Sequence, residues 1–367
     1  MLITRLEARD FRLFDSLVLD AHPQLNLITG DNGAGKTSLL EALHVLGRGN
    51  SWRVLPAQLA RDGTHAWQVA AQLAGRTDAP ADSLKLTWRD RQIQIELGQD
   101  ELALAELVRH LPLQILDPGM HRMLEEGPGI RRRFLDWGVF HVEHRFMPVW
   151  RRSRRALRQR NALLREGGGV AQLAPWDHEL AESAEQLSAL RRAHALEVEN
   201  RSQRLLAELL PGEHWQLRYH QGWDAERGYL EVLQQSLERD QRHGLTMSGP
   251  QRAELSFYTS RGSDEPGPAR LARGRISRGQ QKLLVAAFIL AQCWIVAERG
   301  GRPPVLLLDD FSAELSQEFQ RRLLQALLAY PGQKFITALE IPATWGEGPD
   351  CGMFHVEHGA LRPFTKR

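Results

Sequence analysis

Residues 30–37 read Gly30-Asp31-Asn32-Gly33-Ala34-Gly35-Lys36-Thr37, which satisfies G-x-x-x-x-G-K-[ST] at every fixed position. This segment constrains the fold more than any other, because the pattern works only between a strand and a helix. The apolar run Leu25 to Thr29 precedes it, and Leu39, Leu40, Leu43 and Leu46 fall on one face of the helical stretch that follows. Glycines let backbone N–H groups approach phosphate oxygens, and the amino end of the helix adds positive potential. In that geometry Lys36 reaches the β- and γ-phosphates of a nucleotide, the Thr37 hydroxyl ligates Mg²⁺, and Ser38 continues the cradle. Lysine is scarce, five residues in 367, so a lysine at this position by chance is improbable. A mere glycine-rich turn is the bland alternative, and the strand and helix around the motif argue against it.

Two further segments complete the chemistry. Val305-Leu306-Leu307-Leu308 is a buried-strand pattern that ends in Asp309 and Asp310. Acids at the carboxyl tip suit a parallel sheet, whose ligands sit beyond that edge. Asp309 is expected to hold Mg²⁺, directly or through water, and Asp310 to orient or deprotonate the attacking water. Ile276-Ser277-Arg278-Gly279-Gln280 opens an apolar helical stretch 32 residues before Asp309. Ser-x-Gly-Gln at a helix start is what an ABC ATPase presents to the γ-phosphate bound by a second copy, with the Ser277 hydroxyl and the helix N-terminus meeting it in trans. An ordinary serine cap is the competing reading. Weaker signals follow. Phe311 to Leu315 is placed like a loop that crosses a head–head interface. Thr337, at the end of Phe335-Ile336-Thr337, is placed to sense a γ-phosphate. Gln114 is a candidate magnesium-sensing glutamine, and so a third catalytic residue beside Lys36 and Asp310.

The expected fold class is α/β, an ABC-type P-loop ATPase head with a mostly helical inserted arm. Strand-like alternation covers 2–29 and 66–98. From Arg131 to Glu166 the chain reads as helical, Gly167-Gly168-Gly169 marks a turn, and 177–210 is helical again, with Leu180, Ala184, Leu187 and Leu190 on one face. This predicts an antiparallel helical hairpin. Strand patterns resume around Trp215 and Leu255, and 262–270 is a polar loop. Expected boundaries are 1–120 for the first part of the head, 121–245 for the arm and 246–367 for the second part of the head. The two ends are expected to form one domain, since each carries half of the nucleotide chemistry.

Composition is ordinary for a globular chain, with 42% hydrophobic and 25% charged residues and a net charge of +2. The two cysteines, Cys293 and Cys351, are far apart and form no Cys-x-x-Cys pair, which argues against a disulfide framework or zinc site and suits a reducing compartment. The first twenty residues carry too many charges for a signal peptide. Leu283 to Ala297 is apolar but interrupted by Gln292, and reads as a buried helix. The expected location is the cytoplasm. Phe140-His141-Val142-Glu143-His144 recurs at 354–358, a match read as coincidence, not as a metal-binding repeat.

With these residues in view, the chain resembles the RecF family, bacterial gap-repair ATPases related to SMC proteins. The resemblance spans nearly the whole length. It rests on Asp10-Phe11-Arg12, on Gly30 to Ser38, on Gly47 to Arg53 and on Leu111-Pro112-Leu113-Gln114. Glu125-Glu126-Gly127-Pro128 leading to Arg131–Trp137, Ser248 to Leu255 and Ser277 to Lys282 carry it further. It implies ATP and Mg²⁺ binding, head-to-head dimerisation around two nucleotides and slow hydrolysis. It also implies recognition of DNA near single-strand gaps and, with RecR and RecO, help in loading RecA. By the same resemblance Arg53 matches an arginine region that faces phosphate or DNA. Asn50 and Trp52 depart from the usual arginine and phenylalanine. Asp310 and Thr337 stand where transporter-type ABC proteins use glutamate and histidine, changes that suit slow, switch-like hydrolysis.

Charge gives DNA a second, softer line of support. Arg131 to Glu166 holds eleven arginines against Asp136, Glu143 and Glu166, a net +8 that leaves −6 for the rest. Arg151, Arg152, Arg154 and Arg155 are the candidate DNA-contacting residues here. The alternative is internal pairing with Asp177, Glu179, Glu182 and Glu185 on the next helix. Arginine outnumbers lysine 42 to 5 throughout, so the enrichment is partly background. The rival function is an ABC-type ATPase subunit acting on a protein partner or a transporter. It would share all three motifs, but not the long insert between Lys36 and Asp309. A small-molecule kinase would not need Ser277 to Gln280.

Overall fold

The structure, a computed structural model, describes residues 2–74, 82–261, 269–342, 345 and 350–363. Most of the polar loop read at 262–270 lies outside the described residues. In chain order the first elements are β1 (Leu2–Phe11), β2 (Phe14–Asp20), β3 (Leu25–Thr29), α1 (Lys36–Arg48), β4 (Ala66–Ala74) and β5 (Asp82–Arg89). Then come β6 (Gln92–Leu97), β7 (Asp100–Glu101), α2 (Leu104–His110) and β8 (Leu113–Leu116). A helical stretch follows, with α3 (Arg122–Glu125), α4 (Pro128–Val142), α5 (Phe146–Arg165) and α6 (Val170–Leu209). Next are β9 (Glu213–His220), α7 (Tyr229–Gln235), α8 (Leu237–His243), β10 (Glu254–Arg261), β11 (Arg270–Leu271) and α9 (Arg278–Arg299). The chain continues through β12 (Val305–Leu308), α10 (Gln317–Ala329), β13 (Lys334–Ala338), β14 (Gly352–Glu357) and β15 (Ala360–Pro363).

These elements divide into two compact units, Met1–Met120 with Val296–Arg367, and His121–Ile295. The two ends of the chain therefore share a unit. The second boundary falls inside α9, not at 245/246, and residues 246–295 go with the helical stretch. The pairing of β10 with β9 along all eight residues, Glu254 to Arg261 against His220 to Glu213, ties this segment to the unit that holds α6.

In the first unit one sheet runs β15-β14-β3-β13-β12-β8. Its pairs are parallel except β14–β15. Every residue of β3, β12 and β13 is buried, which is why these strands read as continuous apolar runs. The second sheet, β2-β1-β4-β5-β6-β7, is antiparallel. One face of it is buried, so β1 and β4 alternate in burial. Helix α1 packs on strands of both sheets, and all of Leu39 to Gly47 is buried. That includes Glu41, whose carboxylate accepts from Arg12 Nε at 2.7 Å and from the Ser51 hydroxyl.

In the second unit α5 and α6 pack side by side as the predicted hairpin, joined through Gly167 at φ 74°. Leu180, Ala184 and Leu187 are buried on the shared face and Leu190 is partly buried. A small antiparallel sheet, β11-β10-β9, lies in the same unit. Bidentate ion pairs reinforce it, with Arg131 on Glu254 at 2.6 and 2.7 Å and Arg191 on Asp136 at 2.7 and 2.8 Å. Helix α9 is long and apolar enough by length and composition to cross a membrane, yet 83% of its apolar window is buried in the fold. The recurring five residues adopt different structures, Phe140–Val142 ending α4 and Phe354–Glu357 forming β14.

Candidate functional site

The site grows from two neighbouring parts of the parallel sheet. Strand β3 ends at Thr29, and Gly30 turns the chain at φ 147°. A Cβ at Gly30 would lie 2.3 Å from the Val356 carbonyl oxygen, so no side chain fits there. The loop closes onto α1 at Gly35, φ 120°. Lys36 Nζ then donates to the Gly30 and Asp31 carbonyls at 2.6 and 2.9 Å, which curls the ammonium back over the loop. One strand beyond β13, β12 ends at Leu308 and delivers Asp309 and Asp310.

The two parts meet at Asp309. Thr37 Oγ1 lies 3.0 and 3.1 Å from its two carboxylate oxygens, and Thr337 Oγ1 donates to Asp309 Oδ1 at 2.8 Å. The same Thr337 oxygen accepts from the Asp310 N–H at 2.8 Å, and Asp310 adopts φ 55°. Burial pushes the Asp309 carboxyl above its usual range, the Asp310 charge adds to this, and the Thr337 and Thr37 hydrogen bonds and the Arg53 charge oppose it. Burial likewise pulls the Lys36 ammonium down, against the attraction of Asp310, Asp309 and Asp31. The donor set of a hydroxyl and a carboxylate, all oxygen, suits a hard divalent cation such as Mg²⁺.

A cavity of about 460 Å³ opens over these groups. Asn32, Gly33, Gly35, Lys36, Thr37, Ser38, Asp309, Asp310, Thr337 and Arg53 all line it. Gly30, Asp31 and Ala34 shape the loop without lining the cavity. Ser277, Gly279 and Gln280 belong to the other unit. There Ser277 caps α9, its Oγ accepting from the Gln280 N–H at 3.3 Å while Gln280 Oε1 accepts from the Ser277 N–H at 2.9 Å. Gln114 does not line the cavity. It pairs with Leu306, three residues short of Asp309, about 10 Å along the strand, and its Oε1 accepts from Arg48 at 3.2 Å. Gln114 thus stands apart from the cluster around Asp309. The residue level with Asp309 on β8 is Asp117, the first beyond Leu116.

Sequence reasoning missed part of the wall. Arg12, Gln58 and Asp62 also line the cavity. Arg12 sits in the β1–β2 turn at φ 55° and is fixed by Glu41 and the Gln58 carbonyl. Its place in Asp10-Phe11-Arg12 was the available signal. Gln58 and Asp62 lie in irregular chain with no periodicity to mark them. On α5, Arg152 is held by Glu179 at 2.8 and 3.1 Å and by Glu182 at 3.2 Å. Arg151, Arg154 and Arg155 are exposed.

The RecF/RecN/SMC N-terminal domain family matches residues 2–360. A protein of Chromohalobacter salexigens named DNA replication and repair protein RecF is 42% identical over 98% of this chain and 99% of its own. One of the same name from Pseudomonas aeruginosa is 38% identical over 100% of this chain and 98% of its own. The chain belongs to the RecF family. Its fold is that of RecF and SMC heads. A solved structure described as the recombination mediator protein RecF with ATP superposes with a TM-score of 0.85 at 22% identity, covering 99% of this chain and 98% of that one. An SMC head bound to the C-terminal winged-helix domain of ScpA superposes with a TM-score of 0.62 at 14% identity, covering 99% and 96%. RecF-family membership makes this an ABC- and SMC-like ATPase head, and the cavity over Lys36 is its nucleotide-site candidate.

Proposed function

We propose that this chain is a nucleotide-gated DNA-binding protein of recombinational gap repair. It closes head to head on two ATP molecules at single-strand/double-strand junctions in the cytoplasm, hydrolyses them slowly, and with RecR and RecO helps to load RecA. The observation that carries the nucleotide part is the convergence of Thr37, Asp309 and Thr337 beside Lys36 at one cavity. The repair part draws on the relatives named for DNA replication and repair, and the partner part on the resemblance to the RecF family.

In this reading the N–H groups of residues 33–37 and the Lys36 ammonium bind the β- and γ-phosphates. Thr37 and Asp309 would hold Mg²⁺, which when bound neutralises charge on the phosphate oxygens. Asp310 orients the attacking water, and Thr337 holds the Asp309 carboxylate and the Asp310 amide together. Ser277 of a second copy meets the γ-phosphate and completes the site. Arg53, on the cavity wall, faces phosphate. DNA contacts fall to exposed arginines of α5, Arg151, Arg154 and Arg155, with Arg152 engaged by its two glutamates.

Sedimentation with ATP tests the shared site. Ser277→Arg is expected to bind ATP like the wild type and to remain monomeric, because the bulky cation blocks only the trans contact. If Ser277→Arg dimerises normally with ATP, the trans geometry is wrong.

A further inference from the structure

The second unit holds a cavity of its own, of about 380 Å³. Arg132, Arg133, Arg154 and Arg191 line it, together with Trp150 and Gln251. Its wall has one carboxylate, Asp136, and both of that group's oxygens already accept from Arg191. Glu254, the other acid near Arg132, is engaged through both oxygens by Arg131. Arg132 uses one nitrogen on the Ala253 carbonyl at 2.7 Å, and burial together with the Arg191 charge pulls its pKa down. Arg133 and Arg154 are exposed, and neither forms an ion pair among the described residues. The Arg154 guanidinium lies over the Trp150 ring, 4.8 Å from its centroid.

Three guanidiniums thus line one cavity, none of them in an ion pair among the described residues and with Asp136 and Glu254 the acids near Arg132, so the cavity carries an excess of positive charge that an anion would offset. The backbone adds to the field. Gly129 in the first turn of α4 lines the same cavity, and the N-cap of that fifteen-residue helix, Gly127, offers no side-chain acceptor. The helix end therefore contributes positive potential. Gln251 supplies a different kind of group. Its Nε2 donates to the Thr246 and Ser248 carbonyls at 3.2 and 2.7 Å, which fixes the amide orientation. Its Oε1 is turned into the fold beside Gly249, so the amide is a fixed part of the cavity wall.

We propose that this cavity seats one backbone phosphate of a DNA strand between Arg132, Arg133 and Arg154. Guanidiniums match phosphate through paired N–H donors, and the Trp150 ring under Arg154 holds that guanidinium at the cavity. The seat deepens the DNA-binding reading and rests on it.

The test uses the full-length protein with ATP and a gapped duplex, measuring affinity across a salt series. Arg133→Gln/Arg154→Gln alters two exposed side chains. It is expected to weaken binding about tenfold and to make the slope of log K against log salt shallower by about one. The circular dichroism spectrum and the denaturant midpoint should match the wild type, which reports an intact fold. A charge-matched control, Arg158→Gln/Arg204→Gln, is expected to change the slope by less than half as much. If the wild type binds DNA and the cavity variant keeps its slope, or the control loses as much, the seat is overturned while DNA binding stands. If the wild type binds no DNA in any nucleotide state, the DNA-binding reading falls and the seat with it.

Discussion

Thr337 treats the two acids beyond β12 differently, donating to the Asp309 carboxylate and accepting from the Asp310 amide. Asp309 is thereby tied to Thr37 and the sheet, while the Asp310 side chain is left to face the cavity. Asp310→Asn keeps the size and removes the charge. It is expected to bind ATP as the wild type does and to hydrolyse it at least about 100-fold more slowly, within the range typical of a lost general base; equal rates in a phosphate-release assay would remove Asp310 from the mechanism. His44, deeper in α1, makes the fold sensitive to acid. Burial first, and the Arg48 charge second, push its pKa down from 6.5 to about 3, and its Nδ1 lies 2.8 Å from the Asn50 carbonyl oxygen. Between these values the unfolded chain binds a proton that the folded chain refuses. The stabilisation is therefore full above pH 6.5 and lost as pH falls towards 3. Denaturant unfolding of the wild type should weaken more steeply from pH 6.5 to 4 than that of His44→Gln, and parallel curves would assign the acid sensitivity elsewhere.

At the scale of elements, α5 shows what a sequence reveals and what it hides. Its arginines read as one basic row, yet the structure sorts them by face. Ser153, Ala156, Arg160 and Leu164 point inward, a helical spacing in which Arg160 is the odd residue. Its side chain is fully buried and pairs with Asp177 at 2.6 Å and Asp240 at 2.8 Å, with the Thr246 hydroxyl at 2.8 Å. Pairing with the following helix was legible, since Asp177 lies seventeen residues on. Asp240, eighty residues away, was not, because no periodicity links elements so distant in sequence. Arg160→Met leaves two buried carboxylates facing each other and is expected to cost about 3–5 kcal/mol in unfolding free energy. Arg152→Ala removes a half-exposed pair and is expected to cost less than about 1 kcal/mol. Similar costs for the two would mean that the buried network does not hold this unit. The Gly-rich loop was legible for the opposite reason, since strand, loop and helix are contiguous and the chemistry dictates each position. The place of Gln114 opposite Leu306 was not legible, because strand register is not visible in a single segment.

For the whole molecule, the meeting of the two chain ends in one sheet follows from chemistry that needs Lys36 beside Asp309, and β3 does lie next to β13 with β12 beyond it. The later boundary did not follow, because alternation marks β9 and β10 as strands without saying that they pair. In the proposed function, nucleotide in the cavity over Lys36 controls DNA binding. The most direct test compares binding to a gapped duplex with ATP and with ADP, in the wild type and in Lys36→Met. Tight binding is expected with ATP, weak binding with ADP, and no ATP response in Lys36→Met. Equal binding in all four cases, or none in any, would contradict it.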